Sequence, residues 1–377
     1  MKKLLLAFFL LVAVAGFAQN PIQYLLVGTY TNNTKSDGIY VYRYNPNKNE
    51  ATLVSSTKDV SNPSFLVVSN DQKYVYAVNE DHGDNGGSVS AFALDKTKGQ
   101  LVLLNKVPSG GDDPAHIAID STGKYVIVAN YSGGNISVFK TNPDGSLSNA
   151  VQTIAHEGYG VNVQRQEMPH PHCIMFSPDQ KFVFVADLGN DRLYRYKFDL
   201  NDAAAPLKPT DPLYTTVPDN FGPRHLVFNP NGKVLYLLGE LAGQIIVYSY
   251  NPADGSVAEI QTIASDNSNV KGDKGSAEID ITKDGRFLYT SNRGTTNDIT
   301  MFKAATDGKL AENGHVAVGA HPRNFMIDPS SRFLLVAGRD ANTIQIFIIN
   351  KNFGLLQDSN EKIAVPQPVC LKMVPVK

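Results

Sequence analysis

The sequence has no tryptophan, only two cysteines and no excess of charge of either sign. Lys and Arg together number 34 and Asp and Glu number 36, which gives a formal net charge of −2. Binding to nucleic acid or to an acidic membrane surface requires a basic surface, so the balanced charge argues against both. Beyond the N-terminus, no segment has the roughly 20 apolar residues that a transmembrane helix needs. We therefore expect no nucleic-acid partner and no membrane insertion of the mature chain.

The longest apolar run lies at the N-terminus. Lys2 and Lys3 are basic, the apolar run extends from Leu4 to Val14, and the small residues Gly16 and Ala18 flank Phe17. This pattern predicts a secretory signal peptide over residues 1–18, and a buried N-terminal strand or helix is the alternative. No cysteine follows the small residues, so nothing supports a lipoprotein anchor. We expect the mature protein to be exported, to the periplasm or the extracellular space.

An internal repeat runs through the rest of the chain. In each copy a basic residue precedes a short aromatic or β-branched run, and the copies are 46 to 57 residues apart. The basic residues are Lys73, Lys124, Lys181, Lys233, Arg286 and Arg332. Ten residues before each of them stands Pro63, Pro114, Pro171, Pro223, Ser276 or Pro322. Four short strands separated by turns in each copy are typical of a β-propeller blade.

A seventh copy is divided between the two ends of the chain. Its second and third strands match Gln23–Thr29 and Ile39–Tyr42, and its opening strand appears only at Pro368–Val374. Pairing of these ends closes a ring and removes exposed sheet edges. The sequence therefore predicts an all-β, seven-bladed β-propeller, a single domain over residues 19–377. An open array of repeats is the alternative, and the matching ends argue against it. The longest insertion, residues 155–168, is predicted to be a loop.

The two cysteines fall at equivalent positions of distant blades. Cys173 and Cys370 each lie two residues after the repeat's proline, on innermost strands three blades apart. A disulfide needs Cα atoms within about 7 Å of each other. We therefore predict that the two cysteines form no bridge.

Polar residues concentrate at one predicted mouth of the central channel. The first strand of a blade leaves this mouth and the second returns to it, so the residue after each proline and the residues closing each aromatic run meet there. The candidate catalytic residues at these positions are His172, Glu240, Arg224 and Arg293. The candidate substrate-binding residues are His170, His225, Glu278, Arg323 and Gln166. Arginine binds carboxylates and phosphates through paired hydrogen bonds, and a His or a buried carboxyl can transfer protons near neutral pH.

Simpler explanations exist for some of these residues. His225 would also suit a hydrogen-bonded channel residue without a catalytic role, and Arg323 and Arg339 would suit ion pairs with aspartates at blade ends. No compact cluster of His, Asp and Glu suggests a metal site. We expect no metal and no cofactor.

The motifs around these residues resemble those of the seven-bladed propeller lactonases, and the resemblance covers the whole mature chain from about Tyr24 to Val374. They are Val27-Gly28-Thr29-Tyr30-Thr31, Asn62-Pro63-Ser64-Phe65-Leu66, Pro169-His170-Pro171-His172, Gly222-Pro223-Arg224-His225-Leu226, Ala277-Glu278-Ile279 and Ser291-Asn292-Arg293-Gly294. That family includes bacterial 6-phosphogluconolactonases of the cycloisomerase type and fungal carboxy-cis,cis-muconate lactonizing enzyme. The resemblance implies an active site formed by His172 or His170, Arg224, Glu240 and Arg293, without a metal.

The expected function is hydrolysis of a sugar lactone, similar to that of 6-phosphogluconolactonase. The partner is then a small-molecule lactone, expected to be anionic, and the protein a monomer or a weak homo-oligomer. The predicted signal peptide separates this chain from cytosolic sugar-phosphate metabolism and leaves its physiological lactone open. The alternatives are a cycloisomerase of the muconate-lactonizing type and a non-catalytic binding propeller of the cell envelope.

Overall fold

The computed structural model describes residues 20–83, 86–269, 272, 274–294 and 296–377, and the predicted signal peptide lies outside them. These residues form seven four-stranded antiparallel sheets and contain no helix. The first fifteen strands are β1 (Gln23–Thr29), β2 (Ile39–Asn45), β3 (Glu50–Thr57), β4 (Leu66–Val68), β5 (Tyr74–Asn79), β6 (Ser88–Asp95), β7 (Gln100–Pro108), β8 (Pro114–Ile119), β9 (Tyr125–Asn130), β10 (Asn135–Thr141), β11 (Leu147–Ala155), β12 (Pro171–Phe176), β13 (Phe182–Asp187), β14 (Arg192–Phe198) and β15 (Leu207–Thr216). The remaining strands are β16 (Pro223–Phe228), β17 (Val234–Gly239), β18 (Gln244–Tyr250), β19 (Val257–Ala264), β20 (Ser276–Ile281), β21 (Phe287–Asn292), β22 (Asp298–Ala304), β23 (Leu310–Ala317), β24 (Pro322–Ile327), β25 (Phe333–Gly338), β26 (Thr343–Ile349), β27 (Leu356–Ala364) and β28 (Pro368–Pro375).

The continuous apolar runs of the repeat arise because each blade packs against a neighbour on both faces. In β17 every residue is buried. Leu235 and Leu237 pack into the core shared with the preceding blade, whereas Tyr236 and Leu238 pack into the core shared with the following blade. Successive side chains of a strand point to opposite faces, so a strand buried on both faces has no polar alternation. The outermost strands, such as β19, are largely exposed or partly buried.

The C-terminal strand completes the first blade. The sheet order is β28-β1-β2-β3, and β28 pairs antiparallel with β1, with Leu25 opposite Met373 and Val27 opposite Leu371. The innermost strands contact one another in sequence around the ring, including β24 with β28 and β28 with β4. The prediction of a seven-bladed propeller closed by its C-terminal strand is thus confirmed.

A β-bulge opens the innermost strand of several blades. In β16, Pro223 lies opposite Gly239 and His225 lies opposite Leu238, so Arg224 is the additional residue. Equivalent register shifts occur between Pro171 and Cys173 and between Pro322 and Asn324. A bulge redirects the side chain of the extra residue, and here the extra residues are His172, Arg224 and Arg323. The pairing also shows that the start of the first strand and the end of the second share one face of the disc, as predicted.

Cys173 and Cys370 are both buried free thiols on innermost strands of different blades. The Sγ of Cys370 accepts a hydrogen bond from the backbone N–H of Leu66, at 3.3 Å. Within the part of the chain that the structure describes, no helix is long and apolar enough to cross a membrane.

Candidate active site

Glu240 binds three arginines at the predicted mouth. Its Oε2 lies 2.8 Å from Nε of Arg224 and 2.8 Å from Nη2 of Arg293. Its Oε1 accepts a hydrogen bond from Nη2 of Arg165, at 2.7 Å. Glu240, Arg224 and Arg293 are all buried, and Arg224 is only 1% exposed. Buried charges need partners of opposite sign, so this carboxylate compensates the arginines around it.

Backbone hydrogen bonds fix these side chains across two neighbouring blades. The N–H of Glu240 donates to the carbonyl of Gly222 (2.8 Å), and the N–H of Gly275 donates to the carbonyl of Glu240 (2.9 Å). Both N–H and Nε of Arg293 donate to the carbonyl of Gly275, each at 3.0 Å. A guanidinium N–H of Arg224 donates to the carbonyl of Ala277 in the next blade. The arginines are therefore held in place before any ligand binds.

The ionisation of Glu240 follows from this arrangement. Burial alone raises the pKa of its carboxyl, but Arg293, Arg224 and Arg165 outweigh that effect and hold the pKa well below its usual range. A carboxylate so strongly stabilised in its anionic form is a weak proton acceptor. Glu240 is thus bound to three arginines, and its depressed pKa disfavours it as a general base.

His172 lies beside the arginines as a neutral imidazole. Its ring centroid is 5.2 Å from that of His225 and 5.6 Å from that of Tyr131. Burial and the positive charge of Arg224 hold the pKa of His172 well below its usual range. Its Nδ1 is buried and has no hydrogen-bond partner among the described residues. The ring is therefore unprotonated near neutral pH, and its Nδ1 offers a lone pair to a hydrogen-bond donor.

His225 and Glu278 form a buried pair next to His172. Nδ1 of His225 lies 2.7 Å from Oε1 of Glu278, and the other carboxylate oxygen accepts a hydrogen bond from the side-chain amide of Asn324. The Oδ1 of Asn324 in turn accepts a hydrogen bond from the N–H of Leu371, at 3.0 Å. Both oxygens of Glu278 are therefore engaged, which fixes the orientation of the His225 ring.

Arg323 lies on the other side of the mouth. Its Nη2 is 3.6 Å from Oε2 of Glu80, and its guanidinium carbon is 5.4 Å from the ring centroid of Tyr30. The hydroxyl of Tyr30 donates to Oε1 of Glu80, at 2.9 Å. Arg339, in contrast, has an ion pair with its neighbour Asp340, in which Nε lies 2.6 Å from Oδ1. The expected ion pair with a blade-end aspartate thus exists for Arg339, whereas the partner of Arg323 is a glutamate at the mouth.

His170 and Gln166 belong to the insertion between β11 and β12. The His170 ring stacks on Tyr131, with centroids 4.3 Å apart, and its Nδ1 lies 2.9 Å from the carbonyl oxygen of Tyr131. The Gln166 amide donates to the carbonyl of Leu188 and accepts from the N–H of Asn162. Both side chains hold the insertion against the mouth through these contacts.

Arg165 was not among the candidates from the sequence. It lies in the insertion, which has no counterpart in the other blades, so the repeat register assigns it no position. The sequence feature that could have identified Arg165 is its position next to Gln166, which was itself a candidate at the mouth. Among the described residues, no group of three or more His, Cys, Asp and Glu side chains is arranged to hold a metal ion.

The fold and these motifs agree with one protein family. Residues 24–373 match the profile of the family described as lactonase, 7-bladed β-propeller. The chain belongs to this family, and the resemblance stated from the sequence is confirmed.

Several relatives are similar over nearly their full length. The chain is 33% identical to a 6-phosphogluconolactonase of Bacillus subtilis (strain 168) over 350 residues, which cover 92% of this chain and 97% of the relative. A solved structure from Bacteroides fragilis NCTC 9343 is 42% identical, with a TM-score of 0.90 and coverage of 94% of this chain and 98% of that one. The periplasmic gluconolactonase of Pseudomonas aeruginosa is 32% identical, with a TM-score of 0.90 and coverage of 94% and 100%.

Proposed function

We propose that the protein hydrolyses a sugar lactone with an anionic substituent, and that the mouth around Glu240 is its active site. The observation that supports this most directly is the convergence of Arg224, Arg293 and Arg165 on one buried carboxylate beside the neutral ring of His172. Relatives named 6-phosphogluconolactonase and gluconolactonase support the same reaction class.

Lactone opening needs stabilisation of the oxyanion that forms at the carbonyl oxygen. Arg224 and Arg293 are buried, fixed by backbone bonds and oriented by Glu240, so they act as preorganised donors in a site from which water is largely excluded. Removal of one such donor typically lowers kcat by about 10² to 10³-fold. Arg165 and Arg323, at the margins of the mouth, are placed to bind the anionic substituent.

Proton delivery to the departing oxygen falls to His172 in this proposal. The reaction needs a proton acceptor for the attacking water and a proton donor for the departing alkoxide. His172 is neutral and has a free nitrogen, and it lies close to Arg224 and Tyr131. His170 and Gln166 hold the insertion in place and so shape the rim of the site. We propose that they contact the substrate only at this rim.

Export of the mature protein is part of the proposal. The N-terminal pattern of residues 1–18 supports it, and so does the similarity to a periplasmic gluconolactonase. An exported lactonase meets lactones formed outside the cytosol. The substrate panel therefore has to include non-phosphorylated as well as phosphorylated sugar lactones.

The test is a pH-stat assay of acid release from gluconolactone and from 6-phosphogluconolactone. The wild type should accelerate hydrolysis of at least one lactone, and Arg224→Lys should lower kcat/KM by about 10²-fold while retaining the wild-type circular dichroism spectrum. In H₂¹⁸O one labelled oxygen should enter the product carboxylate, which distinguishes hydrolysis from cycloisomerisation. Wild-type protein that releases no acid above the spontaneous rate from any lactone would refute the proposal.

A further inference from the structure

A small cavity lies beside Arg224 and Arg323 at the mouth. Its volume is about 10 Å³, and its polar lining consists of Ser64, His172, Arg224, His225, Glu278, Arg323 and Asn324. A cavity of this size accommodates about one water molecule. It is therefore too small for a substrate and large enough for a single reacting water.

Apart from Nε of Arg224, which lies 2.8 Å from Oε2 of Glu240, three buried polar atoms of the lining residues have no hydrogen-bond partner among the described residues. They are Oγ of Ser64, Nδ1 of His172 and Nε2 of His225. Their residues are 2%, 5% and 4% exposed, so bulk solvent does not satisfy these atoms. Buried polar atoms are costly when they remain unpaired, and a buried water typically makes about three hydrogen bonds. Three such atoms equal the number of partners that one buried water typically has.

His225 differs from His116 in the partner of its Nδ1 atom. Its Nδ1 is bound to Glu278, whose second oxygen is fixed by Asn324. The proton shared with this carboxylate therefore resides on Nδ1, and Nε2 presents a lone pair. In contrast, the ring nitrogens of His116 face Sγ of Cys173 (3.6 Å) and the N–H of Ile174 (3.3 Å).

We propose that this cavity holds the hydrolytic water and that His225, positioned by Glu278, is the catalytic base that accepts its proton. The inference rests on the proposed lactonase function and deepens it. His172 then acts as the group that passes the proton to the departing oxygen, and Ser64 is a further ligand of the water.

The step balances in atoms and charge. Nε2 of His225 takes one proton from the water, whose oxygen forms a bond to the lactone carbonyl carbon. The bond between that carbon and the ring oxygen breaks, and the ring oxygen leaves as an alkoxide. The proton on His225 reaches this alkoxide by way of His172, which restores both neutral rings. The product is an open-chain hydroxy acid, which then ionises in solvent.

His225→Gln and His116→Gln form a matched pair, because both histidines lie at equivalent positions of innermost strands and both rings contact Phe65. We expect His225→Gln to lower kcat by at least about 10²-fold with little change in KM, because a general base contributes about 10² to 10⁴-fold. His116→Gln should retain kcat within about threefold, because His116 does not line the cavity. A folded His225→Gln variant with wild-type kcat would overturn the inference while leaving the lactonase proposal intact. Wild-type protein without lactonase activity would overturn both.

Glu278→Gln gives a second test through the positioning residue. Apart from Glu278, the charged or titratable groups that face His225 are Arg224, Arg323, His172 and His116. Burial lowers the pKa of His225, and Glu278 opposes that shift. Loss of the Glu278 charge should therefore lower kcat and move the acid limb of the kcat profile to lower pH. A merely structural role predicts lower kcat with an unmoved acid limb, and that outcome would overturn the assignment.

Discussion

Nε of Arg224 lies 2.8 Å from Oε2 of Glu240, at the two ends of one β-hairpin. The hairpin leaves the mouth along β16 and returns along β17, and the bulge at Arg224 turns its guanidinium toward the residue that follows the returning strand. The blade that best displays the repeat thus also supplies two of the charged groups of the candidate site. Arg293 from the next blade and Arg165 from the insertion complete the cluster.

Replacing Glu240 should destabilise the fold as well as the site. Glu240→Gln leaves three arginines without their shared counter-charge, so we expect a loss of about 3 to 5 kcal/mol in the free energy of unfolding at pH 7. The pKa of Glu240 is lower in the folded state than its unfolded-state value of about 4.3, so the ionised carboxylate stabilises the fold above that pH. This stabilisation is lost as the pH falls from about 4.3 toward the folded-state pKa. The difference between wild type and variant should therefore narrow below about pH 4, as measured by urea denaturation.

Glu259→Gln is the control for this experiment, because Glu259 lies on the exposed outer strand of the same blade. Its effect on the free energy of unfolding should be within about 0.5 kcal/mol. A Glu240→Gln difference that stays constant between pH 7 and pH 3.5 would contradict the assignment of an ionised, arginine-bound carboxylate.

Arg293 and Arg339 stand at equivalent positions, each directly after the second strand of its blade. The guanidinium of Arg293 contacts Glu240 through Nη2 and the carbonyl of Gly275 through Nε. Arg293→Lys keeps the charge, but one ammonium group cannot make both contacts in this geometry, so kcat/KM should fall by about 10²-fold. Arg339→Lys alters an ion pair of the partly exposed Arg339 with Asp340 and should leave kcat/KM within about threefold. Steady-state kinetics on one lactone compares them directly, and equal losses in both variants would indicate a general effect of charge rather than a role for Arg293.

The pH profile tests the neutral state of His172. Burial and Arg224 keep the pKa of this ring well below its usual range, so it remains unprotonated throughout the range near neutrality. We therefore expect the pH profile of kcat/KM to show no inflection near pH 6.5, which is about the pKa of an unperturbed histidine. The measurement covers pH 5 to 8 with spontaneous hydrolysis subtracted. An inflection near 6.5 that disappears in His172→Gln would show that the ring is solvated instead.

The two cysteines should be unreactive in the folded protein. Burial raises the pKa of Cys173 to about 12 and that of Cys370 to about 11. Since the thiolate is the reactive form, a thiol reagent at pH 8 should detect no thiol in native protein and both in denaturant without reductant. Detection of neither thiol in denaturant would reveal a disulfide and contradict both the ring and its register. The Cys173→Ser variant, which retains one thiol, calibrates the assay.

The fold was predictable because each blade repeats one local pattern. Runs such as Val234–Gly239 are apolar at every position, and the ring explains why: alternate residues enter the cores on either side of the blade. The closing strand was predictable because Pro368–Val374 matches the opening strand that the first copy lacks. These inferences needed only periodicity and the rule that sheet edges must be paired.

The site was predictable only where it follows the repeat. His172, Arg224 and Arg323 could be placed at the mouth because they share one register position, although the bulge that redirects them is visible only in the structure. The bonds of Glu278 to His225 and Asn324 depend on contacts between three blades and have no signature in sequence spacing. Arg165 lies in an insertion without a register, so its contact with Glu240 could not be derived.

Arg165 offers a test of how the site selects anionic substrates. Its side chain is 37% exposed and bridges the insertion to Glu240, whereas Arg224 and Arg293 are buried. An exposed arginine can exchange one anionic partner for another, so we expect Arg165→Ala to raise KM for a phosphorylated lactone by about tenfold, as loss of a charge-assisted hydrogen bond predicts. KM for uncharged gluconolactone should change little, because that lactone offers Arg165 no anion. The control is Gln164→Ala, since Gln164 is an exposed neighbour in the same insertion. An equal rise in KM for both lactones in Arg165→Ala would assign Arg165 to the shape of the insertion and not to recognition of charge.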